Sequence, residues 1–437
     1  MKMTKGFVLA AGIALLAFAA CGTGGAAREP VFVGEPPSLR AIWADYFPMG
    51  NIISSVDYSW RPARVADINN WEREQLLIRH FELLTAEDEM KPDWLRRTPG
   101  AWNAGGANRI MNFAQANNMR VHGHVLVWHS QTPTWMYAEG DRARSAEAIA
   151  NMQYHIERVM RHFGTDIESW EVLNEIFPSG VGPGVTYDNW RTRLRTSSGW
   201  YRAIGSDPNG DCFIWTAFTT ARRVADELDR EAGRPLNTMI LYYNDYNEDT
   251  AGKRNAIYFM VREMNERFAR ENNGRRLIDA VGMQAHYHLE GPGAGGAFGW
   301  GPILPANVRA TIERWASLGV YVSITELDVT VGNTDISPLT RQQERRQAIT
   351  YAQLFQIFRE NAHHLRRVSI WGIDDPASWR ARGNPLLFDG NLVPKEAFWA
   401  VAAPDAFVLP DGQPRPAAEI DAFLANPRSV IPERYWQ

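Results

Sequence analysis

The stretch Val308-Arg309-Ala310-Thr311-Ile312-Glu313-Arg314-Trp315-Ala316-Ser317-Leu318-Gly319-Val320-Tyr321-Val322-Ser323-Ile324-Thr325-Glu326-Leu327-Asp328 contains one complete structural unit. Val308, Ile312, Trp315 and Leu318 recur at helical spacing on one face, and Gly319 is a natural helix stop. Val320 to Thr325 is then an apolar run of strand length, and it ends on a carboxylate, Glu326. A helix feeding directly into a buried strand is the repeating element of a parallel sheet wrapped by helices.

The same device recurs on both sides of this stretch. Ile149, Met152, Ile156, Val159 and Phe163 share a helical face, Gly164 stops it, and Trp170-Glu171-Val172-Leu173-Asn174-Glu175 follows as a strand with a second terminal carboxylate. Phe218, Ala221, Val224, Ala225 and Leu228 precede Gly233-Arg234-Pro235 and a strand from Thr238 to Tyr243. Ile257, Met260, Val261, Met264 and Phe268 precede Gly274 and the run Ala280 to Ala285, and Val368 to Trp371 reads as the last strand. Ala41 to Ile53, Leu83 to Thr85 and Arg120 to Val127 supply three earlier candidates, which brings the count to eight. Eight βα units predict an α/β fold of the closed (β/α)8 TIM-barrel type, a single catalytic domain. The rival, an open doubly wound sheet, is expected to show a Gly-rich phosphate turn after an early strand, and none is present.

Composition narrows the function. The 437 residues carry 46 basic and 50 acidic side chains, with no Lys/Arg stripe interleaved with aromatics, so nucleic acid is excluded as the expected partner. Seventeen tryptophans are many for this length, and Trp128, Trp135, Trp371 and Trp379 fall at strand ends or in loops, where an indole face suits a sugar ring. Lys2 and Lys5 followed by the apolar run Gly6 to Ala20 read as an export leader, too short to be a membrane span. Cys21 directly follows Phe18-Ala19-Ala20, which resembles a bacterial lipoprotein processing site, although Leu is usual where Phe18 stands. The expectation is export with lipid attached to Cys21 at the cell envelope or surface of a bacterium, or otherwise secretion. That anchor would be the only membrane contact. With Cys21 lipidated, Cys212 has no disulfide partner. Neither cysteine has zinc-site spacing and no His-Glu-x-x-His helix occurs, so no metal and no organic cofactor is expected.

In a barrel the reactive side chains lie at the C-terminal ends of the strands. Those ends read Glu87-Asp88-Glu89-Met90-Lys91, then His122 to Gln131 (with His124, Trp128 and His129), then Asn174-Glu175, then Tyr243-Asn244-Asp245-Tyr246-Asn247. Gln284-Ala285-His286, Glu326-Leu327-Asp328 and Trp371-Gly372-Ile373-Asp374-Asp375 complete the series. Buried amides, imidazoles and carboxylates are costly without partners, so a convergent set at one mouth points to a polar ligand. Two carboxylates at strand ends suit glycosidic bond cleavage. A retaining enzyme holds them about 5 to 5.5 Å apart and an inverting one further apart, and the residues alone leave both open. Structural roles compete for several residues: His124 and His129 as satisfied core histidines, Glu87 with Lys91 as a local ion pair, Asp328 as a cap and Asp245 as a turn residue.

From Ser38 to Ala402 the chain resembles family 10 glycoside hydrolases, chiefly endo-1,4-β-xylanases on (β/α)8 barrels. The marks are Thr85 to Lys91, Gly123 to Gln131, Trp170 to Phe177, Tyr243 to Asn247, Gln284 with His286, Thr325 to Asp328, and Trp371 with Trp379. The resemblance implies that Glu175 is the general acid/base and Glu326 the nucleophile of a double displacement with retention. It implies that Asn174 contacts the 2-hydroxyl of the reacting sugar and that His286 and Asp328 orient Glu326. Burial and charge are expected to keep Glu175 protonated. Lys91, His124, Trp128, Gln131, Gln284, Trp371 and Trp379 match positions binding sugar on the nonreducing side. Glu87 and Asp88 belong to the same supporting set, and Tyr246 matches a position near the reacting centre. Xylan and xylo-oligosaccharides are the expected partners of a monomer.

Two departures stand out. Asp88 occupies a position where Asn is usual, and a carboxylate accepts from sugar hydroxyls but cannot donate, so altered or weaker binding is expected. Asp374 stands where many relatives carry Arg. The insertion Pro178 to Asp211 is expected to form an ordered loop over the barrel mouth, with Trp200-Tyr201-Arg202 packed against the rim. The chain thus divides into a lipoprotein-type leader (1–20), a flexible linker (21–37), the catalytic barrel (38–403) and a C-terminal tail (404–437) that wraps or trails from the barrel. A barrel hydrolase acting on cellulose or mixed-linkage glucan and a non-catalytic glycan-binding lipoprotein are the alternatives. The second predicts loss of a carboxylate, and both are present.

Overall fold

Strand and helix alternate as the apolar periodicity requires. The computed structural model describes residues 35–57, 65–137, 145–205, 212–290, 302–332 and 339–437. The leader, Cys21, most of the linker and the end of the insertion, 206–211, lie outside the described residues.

Among the described residues, ten strand segments form the parallel sheet: β1 (Met49–Ile53), β2 (Leu83–Ala86), β3 (Arg120–Gly123), β4 (Val127–Trp128), β5 (Ser169–Asn174), β6 (Ile240–Asp245), β7 (Ala280–Met283), β8 (His286–His288), β9 (Tyr321–Thr330) and β10 (Leu365–Ile370). β3 with β4, and β7 with β8, each make one interrupted stave, which gives eight. The sheet closes because β10 pairs with both β9 and β1, Leu365 opposite Val322 and Met49 opposite Val368. The (β/α)8 barrel is the observed fold.

Helices α1 (Leu39–Trp43), α2 (Trp71–His80), α3 (Pro92–Leu95), α4 (Gly105–Ala116), α5 (Ser145–Phe163), α6 (Gly199–Ile204), α7 (Cys212–Glu231), α8 (Ala251–Glu271), α9 (Pro305–Ala316), α10 (Arg341–Glu360), α11 (Glu396–Ala402) and α12 (Ala417–Ala425) surround it. In the opening stretch, Val308, Ile312 and Trp315 of α9 are fully buried. Gly319 takes φ +71°, a left-handed conformation that ends the helix and sends the chain into β9. α10 begins with a capping box, Thr340 accepting from the Gln343 amide while the Gln343 side chain accepts from Thr340.

The structure corrects four boundaries. Ala41 to Ile53 is not one strand: Ser38 caps α1, whose Leu39 and Trp43 point inward one turn apart, and only Met49–Ile53 is extended. Arg120 to Val127 breaks after Gly123, and Ala280 to Ala285 ends at Met283, before a left-handed Ala285 (φ 59°). Trp371 lies just beyond β10. The tail wraps the barrel. Ser38 N donates to Tyr435 O at 2.7 Å, Gln353 Nε2 donates to Gly412 O at 2.9 Å, and Trp436 is buried beside Trp399.

No helix among the described residues is long and apolar enough to cross a membrane.

Candidate active site

Glu326 and Asp328 are two residues apart on β9, so both side chains turn to the same side. His286, the first residue of β8, reaches both: Nδ1 is 3.0 Å from Asp328 Oδ2 and Nε2 is 3.1 Å from Glu326 Oε2. Burial alone would lower the imidazole pKa, but the charge and hydrogen bond of Asp328, with the contact to Glu326, lift it to about 9. His286 is therefore a cation at neutral pH and donates to both carboxylates. Asp328 is in turn held by Arg380 and by Trp379 Nε1 at 3.2 Å; burial raises its pKa, and Arg380 and His286 outweigh that and leave it lowered. On the other flank Asn244 Nδ2 donates to Glu326 Oε1 at 2.8 Å. The Thr325 hydroxyl fixes that amide by donating to Asn244 Oδ1 at 2.7 Å. Gly282 makes room for it, since a Cβ there would stand 2.2 Å from Asn244 Oδ1.

Glu175 sits one residue past β5 in a left-handed conformation, φ 58°. Three bonds pin the turn: Glu175 N to Asn244 O (3.0 Å), Ile176 N to the Tyr243 hydroxyl (3.2 Å), and Arg195 Nε to Glu175 O (3.0 Å). Gln284 Nε2 donates to Glu175 Oε1 and to Asn174 Oδ1, both at 3.0 Å, and His129 Nε2 lies 3.0 Å from Glu175 Oε2. Burial pushes this carboxyl up. The bond and charge of His129, the bond from Gln284 and the charge of Lys253 outweigh it and bring the pKa down to about 2. The expectation that burial keeps Glu175 protonated therefore fails for the free site, because donors to the carboxylate are the stronger influence.

Beneath the two carboxylates Glu171 Oε2 meets His124 Nδ1 at 3.0 Å. Burial raises Glu171 well above the usual carboxyl range and lowers His124 to about 4, so burial disfavours charge on both partners. His124, Glu171 and Glu326 bring one ligand atom each within 4.8 Å of one another. All three are already engaged in this hydrogen-bonded network.

At the other side of the mouth Lys91 Nζ contacts Asp88 Oδ1 at 2.7 Å and Gln131 Oε1 at 2.8 Å, while Gln131 Nε2 donates to Asp88 at 3.0 Å. Lys91 thus pairs with Asp88, three residues earlier, and lies 5.3 Å from the Trp128 ring centroid. Burial raises the Asp88 pKa, but the charge and bond of Lys91 leave it lowered. Glu87 is buried in the same loop, its amide donating to Ile53 O at 3.1 Å. Trp371 packs edge-on against His124 and Trp379 edge-on against His286, with Trp379 37% exposed at the rim. Tyr246 is buried under Lys253, 3.6 Å from its ring centroid, and its hydroxyl bonds Ser179 and Arg195. The departure at Asp374 has a clear structural role. Its carboxylate accepts from Arg73 Nε at 2.8 Å and caps the Ala377 amide at 3.0 Å, tying the loop after β10 to the start of α2.

The described part of the insertion packs against the rim. Trp200 Nε1 donates to Trp128 O at 3.1 Å and Trp190 Nε1 to Glu263 of α8 at 2.7 Å.

The sequence reading did not assign site roles to His129, Asn244, Arg195, Lys253, Glu171 and Arg380. Lys253 had a signal: it lies four residues before Ile257, a charge on the apolar stripe of α8, and it is fully buried against Asp245 at 2.6 Å. His129 and Asn244 stand inside the strand-end runs but look like core or turn residues there. Arg195 and Arg380 reach in from loops and leave no periodic trace.

Comparison with known proteins agrees with this architecture. The description "Glycosyl hydrolase family 10" matches residues 38–404. A "Beta-1,4-xylanase" of Dictyoglomus thermophilum is 32% identical over 84% of this chain and 91% of its own. "Exoglucanase XynX" of Acetivibrio thermocellus is 32% identical over 90% of this chain, which spans 33% of that protein. The structure of a variant intracellular xylanase from Thermoanaerobacterium saccharolyticum, in complex with xylotetraose, is similar at a TM-score of 0.64 and 30% identity, covering 84% of this chain and 99% of that one. The chain belongs to glycosyl hydrolase family 10.

Proposed function

We propose that this chain is a retaining endo-1,4-β-xylanase in which Glu326 is the nucleophile and Glu175 the acid/base. The observation that carries the assignment is the asymmetry of the two carboxylates. Glu326 faces a cation, His286, and an amide donor, Asn244, which suit a group that must attack as a carboxylate. Glu175 is held by donors that substrate can replace, and its side chain is 12% exposed against 6% for Glu326.

In the first step Glu326 attacks the anomeric carbon while the proton of Glu175 passes to the departing glycosidic oxygen, leaving a glycosyl ester on Glu326. In the second, water attacks that carbon, its proton goes to Glu175, and the ester bond breaks to return Glu326 as carboxylate. The free site favours ionised Glu175, the form the second step uses. A leaving oxygen entering at Glu175 displaces His129 and excludes water, which removes the largest of the influences opposing burial and lets the pKa rise toward proton donation. Asn174, fixed by Gln284, faces the 2-hydroxyl, a contact that strengthens in the transition state. Lys91, Gln131, Trp128, Trp371 and Trp379 bind xylan on the nonreducing side.

Glu326→Ala should abolish hydrolysis, and azide should restore turnover as a glycosyl azide. Unchanged hydrolysis in that variant overturns the assignment. A second reading, hydrolysis of β-1,4-glucan, is favoured by the name of the Acetivibrio relative. Rates on xylan and on carboxymethyl cellulose separate the two. Export with lipid on Cys21 is proposed from the sequence of the leader. Cys21→Ser should move the protein from the membrane pellet to the supernatant, and unchanged partition contradicts the anchor.

A further inference from the structure

Glu248 lies one residue past the Tyr243–Asn247 run and has no part in the chemistry above, yet it is fully buried beneath it. Its Oε1 accepts from the Ala285 amide at 3.2 Å and from the Tyr287 hydroxyl at 2.9 Å. Ala285 is the link between β7 and β8. It is left-handed, a conformation that costs an L-residue energy and persists only where its surroundings impose it. A buried amide at such a break lies outside the strand ladder and needs another acceptor. Glu248 is that acceptor.

The residues on either side of Ala285 make this contact consequential. Gln284 donates to Glu175 and Asn174, while His286 binds Glu326 and Asp328. One kink therefore carries a partner of each reacting carboxylate. Gln284 N is tied to Asp245 O at 2.9 Å and Asp328 N to Ala285 O at 3.3 Å, so the kink is held to β6 and β9, with Glu248 at its centre.

Resting on the reading of Glu175 and Glu326 as the reacting pair, we propose that Glu248 is a positioning residue. By accepting the Ala285 amide it sets Gln284 against Glu175 and His286 against Glu326 together. The charged and titratable groups facing it are Asp249 beside it, Lys253 on α8 and Tyr287 on β8, while Thr311 of α9 donates to its carbonyl at 3.0 Å. Burial and the charge of Asp249 push its carboxyl up, and Oε1 accepts from both donors whether or not the acid is protonated. A glutamine side chain offers the same oxygen.

The test is the pH profile of kcat and kcat/KM on an aryl xylobioside for wild type, Glu248→Ala, Glu248→Asp and Glu248→Gln, with circular dichroism to verify folding. Misplacing the kink by about 1 Å should cost Glu248→Ala about 10²-fold in kcat. It should also move both limbs of the profile to higher pH. The His286 contact to Glu326 and the Gln284 donor to Glu175 are both weakened. Glu248→Asp, one methylene short, should shift both limbs the same way by less, and it decides the matter if the alanine variant does not fold. Glu248→Gln should keep the wild-type limbs. A purely structural role lowers activity or melting temperature with the limbs fixed. Wild-type limbs in a folded Ala or Asp variant, or a Gln variant displaced as far as Ala, overturns the proposal. Failure of azide rescue in Glu326→Ala would instead strike the assignment of the nucleophile and leave the limb comparison readable.

Discussion

Replacing His286 with asparagine should change how stability depends on pH, with a sign and size set by the site. The imidazole is 8% exposed, so solvent screens it little, and it bridges Asp328 and Glu326 at 3.0 and 3.1 Å. Burial lowers its pKa, the two carboxylates raise it, and the result is about 9 in the folded chain against 6.5 for the free side chain. Because the folded value is the higher one, the stabilisation is complete below 6.5 and is lost as pH rises through about 9. That difference, at about 1.4 kcal/mol per pH unit, corresponds to about 3 kcal/mol. Denaturant unfolding of wild type and His286→Asn, measured from about pH 6 to about pH 10, follows this contribution as the gap between the two proteins. The gap in unfolding free energy should shrink by about 3 kcal/mol across the window. A gap that stays constant refutes the view that His286 is held as a cation between the two carboxylates.

Three further outcomes follow from individual contacts. If substrate displaces His129 from Glu175, the alkaline limb of kcat, which reports the complex, lies at higher pH than that of kcat/KM, which reports the free enzyme; coincident limbs contradict the displacement. Asp88→Asn frees Lys91 from its ion pair and adds a donor, so KM for xylohexaose should fall; an unchanged KM removes Asp88 from substrate binding. Arg73→Ala leaves the Asp374 carboxylate buried without its ion partner, which costs about 3 to 5 kcal/mol where such pairs are well buried. It should loosen the loop that ends in Trp379 and raise KM on long oligosaccharides more than on aryl xylobioside; equal effects on both contradict a role in holding that loop.

The barrel was legible because its signal is redundant. The helix of Val308, Ile312 and Trp315, the stop at Gly319 and the strand after it each imply the next, and the pattern repeats around the sheet. The failures lie where tertiary contacts override local pattern. Ala41 to Ile53 looked extended because its apolar residues are dense, but Ser38 capping and the inward Leu39 and Trp43 made a helix of its start. The interruptions after Gly123 and Met283 carry site residues and cannot be anticipated from propensity, since the left-handed Ala285 is imposed by partners distant in sequence. The strand-end carboxylates and amides were legible as a set. Their charge states were not, because the low pKa of Glu175 depends on His129 and Gln284, 46 and 109 residues away. Asp374 shows the same limit: its partner Arg73 is 301 residues distant, and only the closed barrel brings them together.

The central claim, that Glu326 and not a neighbouring carboxylate forms the covalent intermediate, is tested most directly by trapping. In a 2-deoxy-2-fluoro xylobioside the fluorine removes the 2-hydroxyl contact and destabilises the oxocarbenium-like transition states of both steps, and a good leaving group offsets this in the first step alone, so the intermediate accumulates. Mass spectrometry of the inactivated protein should then find one fluoroxylobiosyl group, two sugar units, on the peptide containing Glu326 and none on the peptide containing Glu171 and Glu175. Label on Glu175 or Glu171, or turnover with no covalent adduct, would contradict the account.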